Sequence, residues 1–242
     1  MRIVARTDKG MVRHNNQDSY TAGELSGGVA YAIVCDGMGG AAGGAFASSA
    51  AVKIIREKIC NGYQQGMSDL SVKALLVSAL EKANKYIHGV SLTDEAYFGM
   101  GTTAVAAIIT DEFAYIAHAG DSRAYKLSGG KAYQLTHDHS VVQRMVDRGQ
   151  ITEDEALEHP KKHIITRAIG VDEFVQIDFC QEDFYDDDIL VFCTDGLTNY
   201  VKTDDLTNLT NDGQYQNFAG RLVDLANENG GGDNITVVAV TK

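Results

Sequence analysis

Four apolar segments, at about 102–110, 113–119, 122–127 and 131–135, follow one another with only two or three residues between them. A parallel connection needs a crossover of about a dozen residues or more, so strands this closely spaced must pair antiparallel. Similar segments read at 2–8, 29–35, 174–181, 188–194 and 234–241. Between them lie three stretches with apolar residues every three or four positions: Ala45, Ser48, Val52, Ile55 and Ile59 in 43–60; Val72, Leu76, Ala79, Ala83 and Ile87 in 70–88; Phe218, Leu222 and Leu225 in 215–228. That period predicts amphipathic helices whose stripes pack on a core. Because strands and helices do not alternate strictly, the expected class is α+β, with antiparallel sheets covered by helices.

The chain of 242 residues has no low-complexity linker and one proline, Pro160, so a single domain over 1–242 is expected. At about 136–170 the pattern gives way to histidines, charges and two short helical pieces, the second opened by a Thr152 to Glu155 capping box. Such a polar excursion either carries substrate contacts as a lid or is a plain surface insertion. The formal charge of −12 and pI near 4.9 argue against a nucleic-acid partner. They suit solubility, and equally a divalent-cation site. Cys35, Cys60, Cys180 and Cys193 show no CxxC spacing and read as buried, reduced thiols of a cytoplasmic protein. The N-terminus lacks the apolar stretch of a signal peptide, and no segment reaches the roughly 18 apolar residues of a membrane span.

Four aspartates stand at one end of an apolar run and beside, or one residue from, glycine: Asp36 in AIVCDGMGG, Asp121 in AYIAHAGDSR, Asp195 in ILVFCTDGL and Asp233 in GGGDNITVVAV. Any one of them alone is ordinary turn chemistry. Together they place carboxylates where strands meet loops, from which they can converge. Repulsion among converging carboxylates is relieved by protons or a bound cation, and oxygen-only ligands favour Mg, Mn or Ca. A metal-dependent enzyme is the first expectation.

Arg13 lies five residues before Asp18, just after the first strand. Its guanidinium fork suits two oxygens of a phosphate, and suits a neighbouring carboxylate equally well. The stretch from Val29 to Ala51 also fits a rival, since Gly37, Gly39 and Ala42 match the GxGxxA of a dinucleotide site and Glu57 follows twenty residues on. Against this, Asp36 would face the pyrophosphate, and Glu57 falls inside a helix. The glycines have another use, which is letting backbone approach a metal and its waters.

Arg13 with NNQDS, then CDGMGG, HAGDSRAY, FCTDGL and GGGDNITVVAV follow in the order found in metal-dependent protein phosphatases of type 2C, the PPM family. The chain resembles that family from about residue 6 to 241, and most closely its stand-alone bacterial serine/threonine phosphatases. The resemblance implies a four-layer α-β-β-α sandwich of two antiparallel sheets, with a two-metal centre between sheet ends. It implies that Asp36 bridges both ions, that the Gly37 carbonyl binds one, and that Asp195 and Asp233 bind the other. Asp121 and Asp195 would hold a weaker third ion, Arg13 would clamp the substrate phosphate, and Asp18 would orient metal-bound water from behind. Hydroxide bridging the ions would attack phosphoserine or phosphothreonine in line, without a phosphoenzyme.

Two departures from the eukaryotic pattern matter. Gln17 stands where an acidic residue precedes the aspartate of the first motif, which predicts weaker occupancy of the ion it would serve. Met38 stands where eukaryotic members often carry a histidine proposed as general acid. The proton donor is then sought among His137, His139, His159 and His163, and His163 is chosen because the apolar IITRAIG anchor follows it. The resemblance further implies Mn2+ or Mg2+ as cofactor, a monomer, and as partners phosphorylated Ser/Thr proteins, among them a cognate kinase and its targets. Two other readings are a non-catalytic binding module on the same fold and a dinucleotide-binding oxidoreductase. The four aspartates tell against the first, and Asp36 against the second.

Overall fold

A computed structural model describes residues 1–210 and 215–242. Eleven strands make two sheets among the described residues. One runs β1 (Arg2–Asp8), β11 (Ile235–Thr241), β10 (Ile189–Cys193), β7 (Arg123–Ser128), β8 (Lys131–Gln134). The other runs β2 (Asp18–Glu24), β3 (Ala30–Met38), β5 (Ala104–Ile109), β6 (Phe113–Ala119), β9 (Asp178–Asp183), with β4 (Gly101–Thr102) added to the end of β3. Every named pairing is antiparallel, as the short connections require.

The two-residue period of the strands sorts side chains into layers. Ala30, Ala32 and Val34 of β3 face Val238 and Val240 of β11 in a core between the sheets. Their neighbours Tyr31, Ile33 and Cys35 face the other way, against α1 (Gly40–Gly62) and α2 (Asp69–Ser91). On the opposite side Ile235, Val237 and Ala239 of β11 meet α7 (Phe218–Glu228), α6 (Thr203–Asn208) and α5 (Asp195–Thr198). Alternation of apolar residues on both faces of a strand yields this order of layers, α-β-β-α.

The excursion between β8 and β9 forms α3 (Val141–Asp147) and α4 (Glu153–Leu157), and Thr152 and Glu155 close the expected capping box. Its two ends meet as a neck. Ser140 bridges to Ile165, Val141 N–H donates to Ile164 O at 2.8 Å, and Thr166 N–H donates to His139 O at 2.7 Å.

Several expectations need correction. The strand β2, DSYTAGE, carries almost no apolar residue; it is an edge strand, half-buried on β3, so periodicity gave no signal. The strand expected at 174–181 starts at Asp178, and Phe174 is 84% exposed. Asp36 lies inside β3 and not where a strand meets a loop, because the strand runs on to Met38 by pairing with β4. Of the four free cysteines only Cys35 and Cys193 are buried; Cys60 is exposed on the last turns of α1, and Cys180 is half-buried.

Candidate active site

At one end of the sandwich a cleft of about 770 Å³ opens, lined by Arg13, Asp36, Gly37, Asp121, His163, Asp195 and Asp233 among others. Apart from the adjacent Asp36 and Gly37, each arrives on a different element. Asp36 comes from β3, Asp121 from the crossing between β6 and β7, Asp195 from the first turn of α5, and Asp233 from the loop before β11. Arg13 comes from the loop after β1, and His163 from the exposed return of the excursion, one residue before its neck.

Asp18 stands behind this cleft, paired with Asp36 across the β2–β3 ladder. Its Oδ2 accepts from Thr194 Oγ1 at 2.9 Å and Thr236 Oγ1 at 2.7 Å, while Oδ1 is buried without a partner. Burial pushes its carboxyl up to about 7. Burial also raises Asp36, then the negative charges of Asp18, Asp195, Asp121 and Asp233 raise it further. Asp121 is raised by burial and by Asp195, and Asp195 by burial and by Asp233. Asp195 Oδ2 accepts from Asn199 Nδ2 at 3.0 Å, whereas its Oδ1 is a second buried oxygen without a partner. Such shifts mean that the carboxylates repel one another in a water-poor place. One cation faces them directly: Arg13 Nη2 lies 2.8 Å from Asp233 Oδ2, with the arginine side chain 54% exposed.

The model of the protein phosphatase 2C family matches residues 11–233. The chain belongs to that family. Among curated relatives of this phosphatase 2C chain, the serine/threonine phosphatase Stp of Listeria monocytogenes serotype 4b is 35% identical over 246 residues, covering 100% of this chain and 96% of the relative. Protein phosphatase PhpP of Streptococcus pneumoniae serotype 2 is 38% identical over 242 residues, covering 100% and 97%. The solved serine/threonine phosphatase of S. agalactiae superposes with a TM-score of 0.92 at 35% identity, covering 100% of this chain and 99% of that one. The catalytic domain of PstP, solved in complex with two manganese ions, gives 0.86 at 32% identity, covering 98% and 96%.

Family membership removes the dinucleotide reading, and the fold says why it fails. β3 pairs antiparallel with both neighbours, and Glu57 sits exposed on α1. The glycines of CDGMGG also have a packing use. A Cβ on Gly37 would collide with the Gly44 backbone of α1, and Gly39 (φ 106°) turns the chain against Met100. They admit the helix onto the strand.

Sequence reasoning overlooked Asn199, Tyr200, Asn234 and His14, which also line the cleft. Asn199 and Asn234 each stand within four residues of a motif aspartate, and that adjacency was the available signal. Gln17 is engaged with protein: its Nε2 donates to Gly40 O at 2.7 Å. Of the other histidines, His137 bonds to Asp147 and His159 accepts from Lys161 N–H, both within the excursion.

His139 belongs to a second buried cluster, at the excursion's root. Its ligand atom and those of His118 and Asp178 come within 4.8 Å of one another, the spacing of a metal site. Two features oppose that reading. The two imidazole rings are stacked 4.7 Å apart and 6° from parallel, so lone pairs in their planes cannot point at one ion. The place is also taken by a cation, since Arg167 Nη1 lies 2.7 Å from Asp178 Oδ1 and 2.8 Å from His139 Nε2. Burial pushes His118 down to about 4 and lowers His139 as well, keeping both rings neutral.

Proposed function

We propose that this protein phosphatase 2C chain, folded as one domain over 1–242, hydrolyses phosphoserine and phosphothreonine in proteins with Mn2+ or Mg2+. The observation that carries the reading is the set of carboxylates at and just behind the cleft, raised by burial and then by one another, two of their oxygens without partners. Hard divalent ions prefer all-oxygen donor sets of this kind, so the residues fit the metals that the family uses. Asp36 would be shared between two ions, the Gly37 carbonyl would join it on one, and Asp195 and Asp233 would hold the other. Asp121 with Asp195 would hold a weaker third.

When bound, the ions act as Lewis acids that make hydroxide available at neutral pH for in-line attack on phosphorus, without a phosphoenzyme. The protein does the rest. Arg13 leaves Asp233 for the substrate, where its fork holds two phosphate oxygens and meets the charge that builds on them. Asp18, held by the Thr194 and Thr236 hydroxyls behind Asp36, would orient metal-bound water. His163 at the rim hands a proton to the departing serine or threonine oxygen. The excursion that carries His163 acts as a flap over the seryl or threonyl segment. Phosphorylated kinases and their targets are the expected protein substrates, met by a monomer in the cytoplasm. No helix among the described residues is long and apolar enough to cross a membrane.

The test is hydrolysis of a phosphothreonine peptide with Mn2+, with chelator, and with Asp36→Asn. Both treatments are expected to lower turnover at least a thousandfold, the scale of a lost Lewis-acid centre. Activity that persists through either would end the two-metal reading. A wild-type protein that binds the peptide without hydrolysing it would support a binding module instead.

A further inference from the structure

Arg13 stands on the loop 9–17 between β1 and β2, and its tip, 11–14, is exposed. A long, exposed side chain on a loop locates a phosphate only if the loop itself is fixed. Lys9, Met11, Arg13, Asn15 and Gln17 all bond to one short segment, 231–234. Three of those five bonds are made by a single side chain. Asn234, 5% exposed, accepts from Gln17 N–H through Oδ1 at 2.8 Å, and its Nδ2 donates to Lys9 O and to Asn15 O, each at 2.9 Å. Both protons of the amide and its oxygen are spent on the two ends of the Arg13 loop. The same residue's backbone oxygen packs on Gly196, where a Cβ would collide with it, and its neighbours Asp233 and, beyond Gly196, Asp195 reach the cleft.

We infer that Asn234 is the positioning residue for Arg13: it sets the height of the guanidinium over the cleft floor and thereby the affinity for the phosphoryl group. The inference rests on the reading of Arg13 as the phosphate clamp. Only an amide meets the requirement, because two carbonyls and one N–H converge on it. A carboxylate of the same shape keeps the Gln17 bond, loses both donors, and turns a negative charge on the Lys9 and Asn15 carbonyls. The loop then loses its Lys9 and Asn15 anchors while the strands on either side stay paired.

The experiment compares the native protein, Arg13→Ala, Asn234→Asp, Asn234→Ser and the double variant Arg13→Ala/Asn234→Asp. Two quantities are read: amide hydrogen exchange of the metal-free proteins, and the affinity for inorganic phosphate with Mn2+ saturating. Asn234→Asp and Asn234→Ser are expected to speed exchange over 9–17 at least tenfold, with β10 and β11 unchanged. Phosphate should bind each about tenfold more weakly, and Arg13→Ala about ten- to a hundredfold more weakly. In the double variant the losses should not multiply, because an arginine already misplaced has little left to give. Losses that multiply in full, or loop exchange as slow as in the native protein, overturn the inference. So does failure of both Asn234 variants to fold, which would make the residue a general structural one. If Arg13→Ala binds phosphate as tightly as the native protein, the clamp reading fails first, and the inference with it.

Discussion

Two clusters of buried polar groups lie within one acidic sandwich, and they are built on opposite plans. At the flap root every carboxylate has its cation inside the fold. Arg123 grips Asp138 with Nε and Nη2 at 2.7 to 3.0 Å, and Arg167 reaches Asp178 at 2.7 Å. At the cleft four carboxyls are raised by burial and by one another, and among the described residues the ion pair at the cleft is that of Asp233 with Arg13, an exposed arginine on a loop. A set of charges that the chain neutralises itself holds structure together. One that the chain leaves unbalanced is stable only with something supplied from outside.

The largest effect expected on stability tests the root. Arg123→Met leaves Asp138, 8% exposed, without its fork and should cost about 3 kcal/mol by denaturant unfolding, since removing one partner strands a buried charge. Manganese affinity should be unchanged in the same variant. If the two quantities fall together, the clusters are not independent. Next comes the cleft, where the sign reverses. Asp36→Asn should raise the melting temperature of the metal-free protein by several degrees, and more at pH 8 than at pH 5. The reason is that the native carboxyl must hold a proton, which the unfolded chain releases near the ordinary carboxylate pKa. A melting temperature lowered by the substitution would show Asp36 to be stabilising on its own.

How much of this contrast is visible in the amino-acid sequence follows from chemistry. The cleft was legible because strand ends and glycines bracket its aspartates, and Arg13 and His163 were placed there too. Asp138, Arg167 and Asp178 gave no comparable sign. They come together through relations that join distant positions: His139 stacks on His118, and Asp178 stands opposite His118 in the β6–β9 ladder, 60 residues away. The sheets were legible where alternation was apolar. β2 escaped because its inward face carries only Tyr20 and Ala22, set between Asp18 and Glu24, too short an apolar alternation to read.

Protons should compete with ions at the cleft and not at the root. Carboxyls whose folded pKa is raised favour the metal-free fold at low pH and lose that contribution as pH rises through the raised value, about 7 for Asp18. Neutral His118, pushed down to about 4 by burial, acts in the opposite sense between about 4 and 6.5, and His139, also lowered by burial, acts in the same direction as His118. The difference between melting curves with and without Mn2+ cancels the histidines. That difference should grow steadily from pH 5 to pH 8; a flat difference would place the ions away from these carboxyls. The smallest effect belongs to the rim. His163→Gln should slow a phosphothreonine peptide about a hundredfold, and an aryl phosphate with its better leaving group less. An unchanged pH profile for both substrates would remove His163 as proton donor.

Asp138 and His139 are consecutive, yet one is bound to Arg123 in the first sheet and the other to Gly120, Asp178 and His118 at the end of the second. The hydrogen bonds described for residues 141–163, in contrast, are all made within 136–170. The flap is therefore a cartridge in a fixed socket. Substitutions over 142–160 are expected to leave the carboxylates of the cleft undisturbed, provided the dipeptide that plugs the excursion in is kept.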